Sequence, residues 1–324
     1  MSYELLVLDL DGTLTNSKKE ITEPTKRALL EIQSDGKKVV LASGRPEQGV
    51  LPLAKELQLE KYGSYILSYN GGRIRQCKTQ EIIYNKLLPN RVVKPIYEIV
   101  KKYPRVDLAT YKNDTILSGL TSTKYTELES FINHMPIVHQ PDFGNAIDFP
   151  INKLLVTGEP IDVAPILKEL QDTFHGYLNI YNSDPWFIEI MPQNIDKGNS
   201  LKKLLLSLNL TVNEMICCGD GFNDLSMIEC AGLGVAMENA QSSLKEIADY
   251  ITKSNDNDGV LHVINDVYER LKTLLSPTKG CNGNRSRLPS PHRNILRAVL
   301  TLALRKYWGF GCSLMQSFRV KNKK

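Results

Sequence analysis

Residues 3–14 read YELLVLDLDGTL. An apolar run of this length, stopped by glycine, is the pattern of a strand buried on both faces of a parallel sheet. Asp9 and Asp11 stand at its carboxyl end, where open α/β sheets keep their reactive groups. Alternate residues of an extended segment point the same way, so both carboxylates can face one pocket. Side by side they repel, unless a cation lies between them or one holds a proton. Alone, Asp11-Gly12 is also ordinary turn chemistry, so the rest of the chain has to decide.

A strand–helix alternation follows. Thr22 is placed to cap a helix, with Pro24 in its first turn and Gly36 at its end. KVVLAS (38–43) is the next buried strand and runs into Ser43-Gly44-Arg45-Pro46, with a helix to about Leu57. SYILSYNGG (64–72) is a third strand and turn. This order implies right-handed crossovers and a parallel sheet. From about Ile82 the pattern changes. Strands are expected at 82–88, 105–111, 152–158, 177–183 and 186–192, and helices near 91–102, 123–134 and 160–174. Strands that follow one another without a helix suggest an α+β domain with an antiparallel sheet. At Asp196 the first pattern resumes. A helix starts near Lys197, a strand, acidic turn and helix span 214–228, short strands lie at 232–237 and 249–252, and a helix closes at 258–275. The expected fold class is therefore α/β: a Rossmann-like, doubly wound parallel sheet built from 1–84 and 190–275, with an α+β domain, 85–189, inserted.

Four polar segments then fall at strand ends or a helix start of one sheet: Asp9 with Asp11, Ser43-Gly44-Arg45, Lys197, and Asp220 with Asn223 and Asp224. Singly, each has an ordinary structural use as a cap, a solvated lysine or an acidic helix start. Together they resemble the motifs of the haloacid dehalogenase superfamily of phosphotransferases: DLDGT (9–13), ASGR (42–45), Lys197 and GDGFND (219–224). The NGG at 70–72, the IDKGNSL at 195–201 and the long insert are similar to the Cof-type sugar-phosphatase branch. The resemblance covers about residues 3–272.

That resemblance implies a Mg²⁺-dependent phosphatase of small phosphorylated metabolites, sugar phosphates above all. Asp9 would be the nucleophile that forms an aspartyl-phosphate. Asp11 would protonate the leaving alkoxide and then deprotonate water. Asp9 and Asp220 would give Mg²⁺ carboxylate oxygens, Asp11 its backbone carbonyl, and Asp224 a direct or water-borne contact. Ser43, Gly44 and Asn223 would bind phosphate, with Arg45 beside them, and Lys197 would offset the charge. The insert would be a cap that excludes water and sets specificity. Asp184, Trp186 and Glu189, near its return, are polar contacts to consider. Asp11 favours rapid turnover, by hydrolysis or by phosphomutase transfer. A signalling receiver that accepts phosphate on aspartate uses similar groups, but is far shorter and lacks both the insert and an Asp at the position of Asp11.

The net charge of +4 on 324 residues conceals a split. Residues 276–324 hold 11 Lys and Arg and no acid, leaving 29 basic and 36 acidic residues in 1–275. The body is mildly acidic, so the overall charge carries no nucleic-acid signal. The tail is expected to lie outside the catalytic fold, either without order or as a basic amphipathic helix near 294–306 for an anionic membrane surface. The six cysteines show no metal-type spacing. No apolar run reaches the roughly 18–20 residues that span a bilayer, and the chain opens on a strand. A cytoplasmic protein is expected.

Overall fold

The apolar run becomes β1 (Leu5–Leu8), buried at all four positions. The structure, a computed structural model, describes residues 3–269. After β1 come α1 (Glu23–Ser34), β2 (Lys38–Ala42), α2 (Glu47–Glu56), the short α3 (Leu59–Tyr62), β3 (Tyr65–Ser68), β4 (Arg73–Gln76) and β5 (Ile82–Asn85). Next are α4 (Val93–Val100), β6 (Val106–Lys112), β7 (Thr115–Ser118), α5 (Lys124–Asn133), β8 (Ile137–His139), the short α6 (Phe143–Ala146), β9 (Leu154–Gly158), α7 (Pro160–Thr173), β10 (Leu178–Asp184) and β11 (Phe187–Pro192). The last group is α8 (Lys197–Ser207), β12 (Met215–Gly219), α9 (Leu225–Cys230), β13 (Leu233–Ala236), α10 (Ser242–Ile247), β14 (Tyr250–Ile251) and α11 (Gly259–Ile264).

The core sheet has the order β14-β13-β12-β1-β2-β3-β4-β5. It is parallel from β14 to β3, and antiparallel where β4 and β5 are added at the edge. The core is thus the expected doubly wound sheet with two extra strands. β5 occupies the start of the expected 82–88 strand, yet it belongs to the core sheet rather than to the insert's. β4, reading RIRQ, escapes a hydrophobic pattern because only Ile74 of its four residues is fully covered. Thr22 caps α1 as expected, its hydroxyl accepting from the Thr25 amide, with proline in the first turn.

The cap sheet has the order β10-β11-β9-β6-β7-β8 and is antiparallel apart from the β7–β8 pair. Its two faces differ. Leu108, Val156, Ile188 and Ile190 pack with Ile96, Val100, Ile166 and Leu170 of α4 and α7. The alternate positions Ala109, Tyr111 and Met191 cluster instead with Tyr69 and Ile195 of the core side. The period of two thus turns one face of the sheet to its helices and the other toward the core residues that follow β3 and precede α8.

α11 is followed by one wide turn, Asn265–Glu269. The rest of the expected closing helix and the basic tail fall outside the described residues. Among the described residues, no helix is long and apolar enough to cross a membrane.

Candidate active site

β1 delivers Asp9 at its carboxyl end, 6% exposed, with its backbone N–H donating to the Cys218 carbonyl of β12 at 3.1 Å. The next strand end in that direction carries Asp220. Adjacent parallel strands therefore bring residues 9 and 220 together across the sheet. Asp196 caps α8 by accepting from the Asn199 amide at 2.8 Å, which sets Lys197 as the first helical residue and aims it inward. The Lys197 ammonium is fully buried. It donates to Asp9 Oδ1 at 2.5 Å and to Asp224 Oδ1 at 2.6 Å. Asp224 Oδ2 accepts from the amides of Asp220 and Gly221 at 3.0 and 2.9 Å. Thr13 donates its hydroxyl to Asp220 Oδ1 at 2.8 Å. No described residue hydrogen-bonds to Asp9 Oδ2.

Three carboxylates thus crowd round one ammonium, which bonds two of them. Burial, then the neighbouring Asp224, pushes the Asp9 carboxyl well above the ordinary range, against the pull of Lys197. Asp220 is pushed up to about 6, chiefly by burial. Burial acts to lower Lys197, but Asp224 and Asp9 outweigh it and keep the ammonium charged. Oxygens of Asp9, Asp220 and Asp224 lie within 4.8 Å of one another. Such a set of hard oxygen donors with excess negative charge fits a divalent cation of the Mg²⁺ type.

Asp11 sits apart from this cluster in an ionic clamp. Arg45 grips it with two parallel bonds, Nη2 to Oδ1 at 2.7 Å and Nε to Oδ2 at 2.9 Å, and Lys19 adds a third at 2.7 Å. Burial works to raise the Asp11 carboxyl, yet the Arg45 fork and Lys19 hold it below the ordinary range. Asp11 is therefore an anion here, and Arg45 has to let go before it can carry a proton.

The Ser43-Gly44 loop is pinned from the other side. The Asn70 amide N–H donates to the Ser43 carbonyl at 2.9 Å, and that of Tyr69 to the Arg45 carbonyl at 3.0 Å. Asn70 has a left-handed backbone (φ 51°) and a buried side chain. Its Oδ1 accepts from Asn223 at 3.1 Å, and its Nδ2 donates to the Tyr181 hydroxyl of the cap at 2.9 Å. Lys153 and Glu189 complete the roof. The Lys153 ammonium lies 3.2 Å from Glu189 Oε1 and 3.4 Å from the Gly44 carbonyl, and Tyr181 donates to Glu189 Oε2 at 3.3 Å. Burial, then Glu189, pushes the Tyr181 phenol up, so it stays a donor.

The profile of the haloacid dehalogenase-like hydrolases matches residues 6–264, a span that contains all of these groups. The chain belongs to that family. A haloacid dehalogenase-like hydrolase from Bacteroides thetaiotaomicron is 45% identical and superposes with a TM-score of 0.79, over 83% of this chain and 100% of its own. A Thermotoga maritima crystal structure is 32% identical with a TM-score of 0.72, over 81% of this chain and 97% of its own. The 5-amino-6-(5-phospho-D-ribitylamino)uracil phosphatase of Bacillus subtilis is 31% identical over 264 residues, 82% of this chain and 95% of its own.

In this hydrolase the residues picked out by sequence fall into three groups. Asp9, Lys197, Asp220 and Asp224 form one cluster, and Asp11 and Arg45 form a pair beside it. Ser43, Gly44 and Asn223 meet through Asn70. Of the cap candidates, Glu189 is buried over the site. Asp184 stays exposed where β10 and β11 slip register, and Trp186 stacks on Tyr125 at 5.3 Å within the cap. Asn70, Lys153, Tyr181 and Thr13 were not legible as site residues. The NGG after β3 was the available signal for Asn70. A lone lysine against the apolar 154–156 carried no signal for Lys153.

Gly12 makes the turn possible. Its φ is +84°, and a Cβ there would lie 2.3 Å from Asp220 Oδ2. Gly12→Ala is expected to lose about 1–3 kcal/mol of stability from backbone strain, and to cut hydrolytic turnover by at least about tenfold by displacing Asp220. Denaturant melts and steady-state rates check this, and a variant equal to wild type in both would refute it.

Proposed function

We propose that this hydrolase is a Mg²⁺-dependent phosphatase of small phosphorylated metabolites, sugar phosphates foremost, acting through an aspartyl-phosphate on Asp9. The observation that carries the reading is Asp9 itself: a buried carboxylate with one oxygen fixed on Lys197 and the other open, inside a cation-seeking cluster. Asp9 and Asp220 would hold the ion, with Asp11 adding its backbone carbonyl and Asp224 a direct or water-borne contact. When bound, the ion neutralises carboxylate and phosphate charge, so that two anions can meet.

The chain's own residues do the rest. Ser43, the Gly44 amide, Asn223 and Lys197 orient the phosphate so that its phosphorus faces Asp9 Oδ2. Attack forms the O–P bond and expels the alkoxide, which takes a proton from Asp11. Water then attacks the phosphoryl phosphorus while Asp11 takes its proton, and Asp9 is freed as inorganic phosphate forms. For this Arg45 must pass from Asp11 toward the arriving phosphate, an exchange of one oxyanion for another that suits a guanidinium fork. Asp224, with both oxygens engaged by the protein, would serve first to steer Lys197 and the 220–221 amides. The cap, residues 85–189, would close the chamber against water in the first step.

A relative whose name places its phosphate on a ribityl chain supports polyol phosphates as the substrate class. So does a roof made of an amine, a carboxylate and a phenol, which offers donors and acceptors to hydroxyl groups. The test is phosphate release from a panel of sugar, nucleotide and cofactor phosphates. Steady release without a bisphosphate activator is expected, stopped by chelator and restored by Mg²⁺. Full activity in excess chelator, or no release from any monoester, would overturn the proposal.

A further inference from the structure

A second cavity, of about 370 Å³, opens between core and cap; of the residues described round the candidate site only Tyr69, whose amide pins the 43–45 loop, lines it, and none of the charged groups round Asp9 does. Its core wall carries Glu47, Arg73 and Arg75, and its cap wall Tyr111, Lys112 and Phe149. Arg73 and Arg75 alternate on β4 and so share a face. Both lean on the one carboxylate of Glu47, Arg73 Nε at 3.2 Å from Oε2 and Arg75 Nε at 2.6 Å from Oε1. These contacts are ionic but poorly aligned: both Nε atoms and Glu47 Oε2 are buried without a hydrogen-bond partner. Lys112 extends over the Phe149 ring, 4.4 Å from its centroid, and has no ion pair among the described residues.

The cavity therefore gathers three cations against one carboxylate. Like charges held in a partly dehydrated space repel more strongly than in water. A bound anion relieves that repulsion, and guanidinium forks match the oxygens of phosphate and carboxylate groups. We propose that this cavity is a second, non-catalytic anion site, which takes the phosphate group of a small metabolite between Arg73 and Arg75 of the core and Lys112 of the cap. The proposal does not depend on the phosphatase reading, because it uses none of the same residues.

Sulfate is the probe, titrated into the full chain with chelator present and ionic strength held constant with chloride. Without a divalent cation, the Asp9, Asp220 and Asp224 carboxylates disfavour a dianion in the reaction chamber, so the remaining binding reports on the second cavity. Saturable shifts of arginine Nε–H resonances and a matching rise in Tm are expected. Arg73→Gln should weaken binding roughly tenfold, the scale of one charge-assisted pair. Lys112→Gln, at an exposed position that leaves folding intact, should weaken it several-fold, and Asp9→Asn should not weaken it. Absence of saturable binding, wild-type binding in both Arg73→Gln and Lys112→Gln, or loss of binding in Asp9→Asn would each overturn the proposal.

Discussion

Asp9→Asn is expected to lose turnover by roughly 10⁴–10⁶-fold, the scale on which removal of a covalent nucleophile acts, while the protein melts at or above the wild-type temperature. The first part follows because an amide oxygen is a poor nucleophile and a poor cation ligand. The second follows from the crowding. Burial and Asp224 make the charged form of Asp9 unfavourable in the folded protein. An amide oxygen can still accept from Lys197 without adding a third negative charge. Sites that hold reactive groups often give up stability for activity, and this variant separates the two. Phosphate release and a chelator-treated thermal melt are the measurements. Wild-type-like turnover would refute the role of Asp9. A large fall in Tm would show that Asp9 stabilises the fold rather than strains it.

Lys197→Met should act in the opposite sense on stability. It removes the one ammonium that Asp9 and Asp224 share at 2.5 and 2.6 Å, and leaves the carboxylates facing one another. Breaking a fully buried pair by removing one partner costs about 3–5 kcal/mol. For a chain of this size that is a fall in Tm of roughly 4–9 °C. Turnover should fall at least about 10²–10³-fold, as for loss of an electrostatic contact to the transition state. Added Mg²⁺ should restore part of the Tm but not the rate, because a cation can screen the carboxylates but cannot hold Asp9 Oδ1 in place. A variant that melts and turns over like wild type would rule out this place for Lys197.

The core sheet and its polar cluster were readable because the proposed reactive groups lie where the chain changes from strand to loop. Asp9 ends an unbroken apolar run, and Asp220 follows the equally apolar MICCG of β12. Those patterns fix strand ends, and the parallel order brings the ends together. What spacing could not supply was partnership. Arg45 was placed beside the phosphate loop, and its bidentate grip on Asp11 appears only once β1 and β2 lie side by side. The cap was readable as a class but less so as a list of strands. β7 is four residues long and β8 three, too short for a period of two to show. Glu189 sits among apolar neighbours in FIEIMP, so its inward aim follows from strand alternation only after the helix-facing side is known. Lys153 and Tyr181 depend on how the two sheets face each other, which no local pattern encodes.

The neighbours of β1 have a bearing on how the protein comes to be active. Leu5 pairs with Lys38 on one side and with Met215, about 210 positions later, on the other. On the ribosome, β1 meets its first partner early, while its other edge waits through the synthesis of the whole cap. Lys197, Asp220 and Asp224 emerge only after the cap, so a half-made chain carries the proposed nucleophile, Asp9, without the groups that surround it in the folded site. On the proposed chemistry, a released fragment lacking β12 would have no activity. The long wait costs little at equilibrium, because loop-closure entropy grows only with the logarithm of length, about 0.6 kcal/mol per doubling. A core joined across so long an insertion can therefore accept caps of different sizes at nearly constant stability, with its own strand order unchanged.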